Sequence, residues 1–322
     1  MKEPSEHLPV VGIDLGATNM LLGIIDGDDR IITRRHTKTE GEKGISHVLE
    51  KLISEVQGVC DDAGLGSEDR GGIGIAVAGA VDVASGVVLD AHNLKWKNVP
   101  LRRKLEDAFG KPVYVDNDAN ASVWGESRVG AGRGGGDLFG VWVGTGIGGG
   151  LVLNDQLYHG AFSTAGEFGL TIITPDGKSN FRTVEDHAGR TGMRRVIARE
   201  MQKHPESIIF QLTRGDAARI GTNELAEAFH GNDELTSRII TRGADLLGIA
   251  IANFVTFLAV DTVIIGGGMT EALGERYLDL IRKAFERDVF PARCRACRIV
   301  ATELQADAGL LGAALLARDA SA

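Results

Sequence analysis

Three times in this chain an apolar, β-rich stretch breaks off into a glycine-bearing turn: DLGATN at 14–19, GTGIGGG at 144–150 and GGGM at 266–269. Such turns bring bare backbone amides to one point, and a threonine hydroxyl beside them adds a donor, so they suit phosphate oxygens. They also restrict the fold. The stretch 144–149 satisfies GxGxxG, yet a dinucleotide-binding turn needs a helix after it, and here LVLNDQL reads as a further strand. The turn is therefore expected at the tip of a hairpin, and no GxxxxGK[ST] occurs that would make a P-loop. Taken singly, each turn is also compatible with a plain connection.

The stretch LPVVGIDLGATNMLLGIIDGDDRIITRRHTKT predicts a three-stranded meander. A helix over 44–60 follows, with Ile45, Val48, Leu49, Leu52, Ile53 and Val56 spaced three and four apart. The strand GIGIAVAG, an amphipathic helix over 101–109 and a strand over 112–115 that runs into a helix near Asn117 complete an α/β set. A second set opens at Asp137 with the strand pair LFGVWVGTG and GGGLVL. It continues through helices between 185 and 259, the strand TVIIGGG, a long helix after Met269, the strand CRIVAT and a last helix over 305–317. Two sets with the same opening predict a duplicated α/β architecture, although no strict sequence repeat is present.

Glycine is used 44 times in 322 residues, roughly twice the usual share, without the Gly-X-Y period of collagen. With 35 basic against 44 acidic residues the formal charge is −9, which argues against a nucleic-acid partner for the chain as a whole. No run approaches the ~18 apolar residues of a membrane span, and MKEPSEHLP has no apolar stretch of signal-peptide length, so a cytoplasmic protein without a membrane partner is expected. Three cysteines, Cys60, Cys294 and Cys297, are too few for a disulfide framework.

Carboxylates cluster at two places. VYVDNDANASVWGES sets Asp116, Asn117 and Asp118 where a strand meets a helix, with Asn117 suited to cap it. Strand ends are where α/β sheets gather ligands, and phosphoryl transfer to a hydroxyl needs one carboxylate to accept the proton; the plain alternative is a capping role. Glu167 in AGEFG and Glu185 in TVEDHAG are either surface carboxylates or acceptors for sugar hydroxyls.

In this order the motifs resemble those of the ROK family of sugar kinases and sugar-responsive repressors. DLGATN resembles its first phosphate loop, GIAVAGAVD at 74–82 a segment that follows, and NLKWKNVPL from Asn93 its sugar-contacting stretch. VDNDANASVWGE resembles its catalytic segment, VGTGIGGGLV its second phosphate loop and IIGGGM its adenosine-side turn. The resemblance runs from about Val11 to Ala317. It implies an actin-like (ribonuclease H-like) ATPase fold of two lobes built as duplicated βββαβαβα domains, with residues 1–116 and a returning helix at 304–322 in one and 117–303 in the other. It further implies an ATP-dependent sugar kinase, ATP and Mg²⁺ as cofactors, and a homodimer. Asp118 is similar to the family's general base. Asn93, Asn117, Glu167 and Glu185 match sugar contacts, and Gly16, Thr18, Thr145, Gly146, Gly267 and Gly268 match nucleotide contacts. Asp14 would stand near Mg²⁺, through water.

Two departures qualify what is carried over. Leu170 in GEFGL stands where the family usually has His, and TIITPDGKSNFRTVE has neither Cys nor His where a zinc loop usually follows, so no structural zinc is expected. Losing that His removes a polar partner from the sugar site, for which His187 is a candidate substitute or simply a helix-start residue. The alternative function is a non-catalytic sugar- or nucleotide-binding regulator. Against a repressor, DLGATN begins at residue 14, leaving no room within this sequence for a helix-turn-helix ahead of it. A phosphoryl donor such as polyphosphate also stays open. Cys294 and Cys297 spell CxxC but supply only two metal ligands. Arg287, Arg293, Arg295 and Arg298 read as a solvated face, and Lys95 and Lys97 flank Trp96 either at a cleft edge or at the open surface.

Overall fold

In a computed structural model, residues 8–66, 68–174 and 181–320 are described. β1 (Val10–Leu15), β2 (Asn19–Ile25) and β3 (Ile31–Lys38) form the expected antiparallel meander, with the half-exposed β3 at its edge. α1 (Ile45–Asp62) follows and buries Val48, Leu49, Leu52 and Val56 of the expected stripe, with Ile45 and Ile53 partly buried and Val59 and Cys60 extending it. β4 (Ile73–Val77), buried throughout, lies parallel to β1. β5 (Ala80–Asp82), β6 (Val87–Ala91) and β7 (Trp96–Val99) then make a separate antiparallel sheet that the sequence pattern does not predict. α2 (Leu101–Phe109), β8 (Val113–Asn117), which pairs parallel with β4, and α3 (Asp118–Val129) close the set.

The second set begins with the hairpin of β9 (Leu138–Val143) and β10 (Ile147–Leu153), then β11 (Gln156–Leu157). Among the described residues the α-helices that follow are α4 (Val184–Ala188), α5 (Arg190–Glu200), α6 (Ile208–Thr213), α7 (Thr222–His230) and α8 (Glu234–Leu258). β12 (Thr262–Gly266), α9 (Gly268–Asp288), β13 (Arg298–Ala301) and α10 (Ala308–Asp319) complete the described chain. α8 is long and apolar enough to cross a membrane by length and composition, but its Leu235, Ile240, Leu247, Ile251 and Val255 belong to the core of the second set.

The sheets run β3-β2-β1-β4-β8 and β11-β10-β9-β12-β13. Each is an antiparallel meander of three strands extended by two parallel ones, so the duplication lies in topology. The chain forms two compact units, one of residues up to Gly135, Gln156–Ala165 and from Asp307 onward, the other of Gly136–Asp155 and Gly166–Ala306. The first expected limit, at 116/117, moves to 135/136 because α3 stays with the sheet that precedes it; the last lies at 306/307 where 303/304 was expected, and Gln156–Ala165 joins the first unit.

The reason is a close backbone contact. Gly12 and Gly74 on adjacent strands face α10, and a methyl group at Gly74 would overlap the carbonyl of Ala313. Gly125 of α3 faces α10 as well, where a methyl would stand 2.7 Å from the carbonyl oxygen of Ala308.

Candidate active site

In the first unit the parallel strands β1, β4 and β8 end together. Leu15, Val77 and Asn117 are in register, and Asp14, Ala76 and Asp116 form the row behind them. Side chains of one row share a face of the sheet, so two acids arrive on the same side. The turn after β1 is held by Thr39, whose hydroxyl donates to the Gly16 carbonyl (2.7 Å) and whose N–H donates to that of Thr18 (2.8 Å). Thr18 itself is exposed.

Asn117 caps α3. Its side-chain oxygen accepts from the N–H groups of Ala119 (2.9 Å) and Asn120 (3.1 Å), and its amide nitrogen donates to the Gly79 carbonyl (3.1 Å) and to Asp118 Oδ1 (2.9 Å). An Asn side chain offers two donors and two lone pairs, so the amide is saturated inside the protein. The geometry makes Asn117 the residue that orients Asp118, whose Oδ1 also accepts from Ala119 N–H (2.9 Å). Asn93 lies on an exposed turn between β6 and β7, beside exposed Lys95 and Lys97 and the buried Trp96.

Asp14 is half-buried where Gly309 lets α10 come close; a methyl there would stand 3.0 Å from its carboxylate. Burial first, and the Asp118 charge second, push its carboxyl up to about 7. Between about 4 and 7 the folded protein therefore holds a proton that the unfolded chain has released, and raising the pH through that window removes stability. Asp14→Asn is expected to melt higher than the wild type at pH 8, with the difference vanishing towards pH 4; equal melting temperatures at pH 8 would refute this.

Behind Asp118, the 1% exposed Asp116 accepts from Asn117 N–H (2.8 Å), Asn120 Nδ2 (3.1 Å) and the Tyr114 hydroxyl (3.2 Å), and lies 2.7 Å from His159 Nε2. Burial, followed by the charge of Asp116, holds the Tyr114 phenol above its ordinary range. His159→Ala removes one partner of a buried carboxylate and is expected to cost about 1–3 kcal/mol in urea denaturation.

In the second unit the turn Gly144–Thr145–Gly146 is the tip of the β9–β10 hairpin, as expected, with Gly144 N–H donating to the Gly146 carbonyl (2.9 Å). β12 runs parallel beside β9 with Gly266 opposite Trp142, so the turns at 144–146 and 266–268 lie at the same end of these two neighbouring strands. Gly267 has φ +90° against Val143, a conformation that favours glycine, and Gly268, with free space around it, opens the short first part of α9, which is broken at Gly274 (φ +67°, ψ −160°).

Glu185 also reaches the hairpin tip. Its Oε2 accepts from Ile147 N–H (3.2 Å), and a methyl at Gly146 would overlap it. Although Glu167 is exposed as a residue, partial burial of its carboxyl and then the Glu185 charge raise its pKa above the ordinary value. The structure thus brings Glu167 and Glu185 together. Leu170 is 55% exposed. His187 stands edge-on to Phe181 (4.7 Å between ring centres) with Nε2 3.3 Å from the Thr174 hydroxyl.

Among the described residues no group of three or more His, Cys, Asp or Glu is placed to hold a metal ion. The segment 175–180, within the stretch where a zinc loop would fall, lies outside the described residues. Burial, then Asp261 and Cys294, push the Cys297 thiol up to about 12, and Arg287 is paired with Asp245 and Asp288. The sequence reading missed Thr39, His159 and Arg190. All three hold a loop or strand far away in sequence, and none belongs to a motif.

A sequence model of the ROK family matches residues 10–320. The chain is 32% identical over 317 residues to a glucokinase of Thermotoga maritima, covering 97% of this chain and 98% of that one. It is also 32% identical to a putative xylose repressor of a Caldicellulosiruptor species, covering 94% of this chain and 76% of the repressor. A ROK family glucokinase of Streptomyces griseus, solved with glucose and AMPPNP, superposes with a TM-score of 0.84 at 32% identity, covering 97% and 99% of the two chains. The fold is the actin-like, two-domain α/β fold of such kinases.

Proposed function

Because the chain belongs to the ROK family, we propose that its Asp118 is the general base of an ATP-dependent sugar kinase acting on a hexose. The kinase activity itself rests on the near-full-length likeness to glucokinases. The observation that carries the role of Asp118 is its placement at the start of α3, oriented by Asn117 and in electrostatic contact with Asp14.

In the reaction Asp118 accepts the hydroxyl proton while the sugar oxygen bonds to the γ-phosphorus and the bridging bond to the β-phosphate breaks, giving sugar phosphate and ADP. Gly16 and Thr18 in one turn, and Thr145, Gly146, Gly267 and Gly268 in the others, contact the nucleotide. Asn93, Glu167 and Glu185 bind sugar hydroxyls, and Asn117 acts by orienting the base. Asp14 and Asp118 raise each other's electrostatic cost, a pair that a divalent cation would relieve, so Asp14 suits a water-bridged Mg²⁺. The ion, when bound, neutralises phosphate charge. The reading includes a cytoplasmic homodimer with no nucleic-acid or membrane partner.

The test is a coupled ADP-release assay with MgATP over hexoses, amino sugars and polyols. Sugar-dependent release supports the kinase, and the preferred sugar shows which hydroxyl pattern a site with Leu170 in place of the usual His accepts. The likeness to a repressor favours a second reading, a sugar-binding regulator without catalysis. Sugar binding by calorimetry with no release for any sugar would overturn the kinase reading for this panel and favour a binding protein or an untested substrate.

A further inference from the structure

We propose that Arg190 is a phosphate-binding residue of the donor site, acting together with Thr145. The inference rests on the kinase reading. α5 begins against the hairpin tip: Arg190 N–H donates to the Gly144 carbonyl (3.0 Å) and Thr191 N–H to that of Thr145 (3.0 Å). Gly189 permits this approach, since a methyl there would lie 3.3 Å from the Gly146 Cα. The Arg190 side chain then turns back, its Nη2 donating to Thr145 Oγ1 (2.7 Å) and its Nη1 to Thr222 Oγ1 (3.3 Å).

Two features point to an anion. A threonine hydroxyl has one proton, and an Oγ that accepts from a guanidinium turns that proton elsewhere. Thr145 is exposed, and no acceptor for its proton is present among the described residues. The guanidinium, in turn, has only hydroxyl partners among the described residues, whereas Arg34, Arg35, Arg238, Arg282, Arg287 and Arg318 all pair with carboxylates. A guanidinium presents five N–H groups, and its planar fork fits phosphate oxygens.

Further basic groups follow on α5, although the Glu185 carboxylate also reaches the hairpin tip. The exposed Arg194, one turn along α5, and Arg199, between two and three turns along, line a cavity of about 550 Å³ together with Thr191, Arg195, Ala217 and Ala218. Among the described residues only Arg195 of these arginines has a carboxylate partner, Asp186 at 3.7 Å. A phosphate oxygen at the hairpin tip would receive the Thr145 proton and the unused Arg190 N–H groups together.

Calorimetry of ADP and of inorganic tripolyphosphate separates contacts to the phosphates from contacts to the base. Arg190→Ala is expected to weaken both ligands by roughly tenfold or more, with Arg190→Lys recovering part of the loss. In combination with Thr145→Val the loss should be smaller than the product of the two single effects, because the residues act on one anion. The KM for sugar should stay within about twofold. If Arg190→Ala does not fold, Arg190→Gln keeps a donor for Thr145 without the charge and carries the same expectation for tripolyphosphate. Wild-type affinity for both ligands in these variants overturns the proposal while leaving the kinase reading intact. A wild-type protein that binds neither ADP nor tripolyphosphate overturns both.

Discussion

Asp118→Asn is expected to fold, to bind nucleotide and to lose roughly 10²–10⁴ of sugar-dependent turnover, the range for removing a positioned general base. Asparagine keeps an oxygen for the bonds from Ala119 N–H and the Asn117 amide, so the start of α3 should be preserved. It cannot take the proton. The substitution also removes the second cause of the raised Asp14 pKa and leaves burial alone, so the Asp14 carboxyl should titrate lower in the variant. Carbon-detected NMR of that carboxyl supplies a readout independent of turnover. A variant within tenfold of wild-type kcat would remove Asp118 from the proposed role.

Gly312→Ala should destabilise the protein although helix propensity argues the opposite. At an open mid-helix site, alanine in place of glycine stabilises by about 1 kcal/mol. Here a methyl group would overlap the carbonyl of Ala121 and stand 3.0 Å from Gly125 N, with backbone rather than a flexible side chain in the way. Overpacking of this kind costs about 1–3 kcal/mol, and Gly312→Val should exceed that, a large share of a stability of about 5–15 kcal/mol. Urea midpoints measure both variants. A midpoint for Gly312→Ala at or above wild type would show that α10 can shift away from α3 without loss.

How much of this was legible beforehand depended on the range of the cause. The meander, α1 and the hairpin tip at 144–146 follow from patterns within about twenty residues, and the structure has them where the spacing puts them. The sheet of β5, β6 and β7 escaped notice because its strands are three to five residues long, with buried and exposed positions mixed. Asn117 was legible as a cap. Whether its amide had capacity left for a ligand depended on Gly79, 38 residues away. His159 reaches Asp116 across 43 residues and Arg190 reaches Thr145 across 45, distances at which local patterning carries no information. The division of the units at Gly135 follows from how glycines on α3 and the sheet meet α10, a packing fact that no periodicity encodes.

The way α10 is built into the first unit bears on the order in which the chain acquires structure. β1 and β4 are made within the first 77 residues, yet the helix that covers their glycine face ends at Asp319. While the ribosome is still adding the intervening residues, that face has no cover from its native partner, whereas every segment of the second unit has been synthesised by Ala306. The unit that emerges first is thus the one whose last segment is synthesised last, and its completion waits on contacts distant in sequence, the kind that form late in folding.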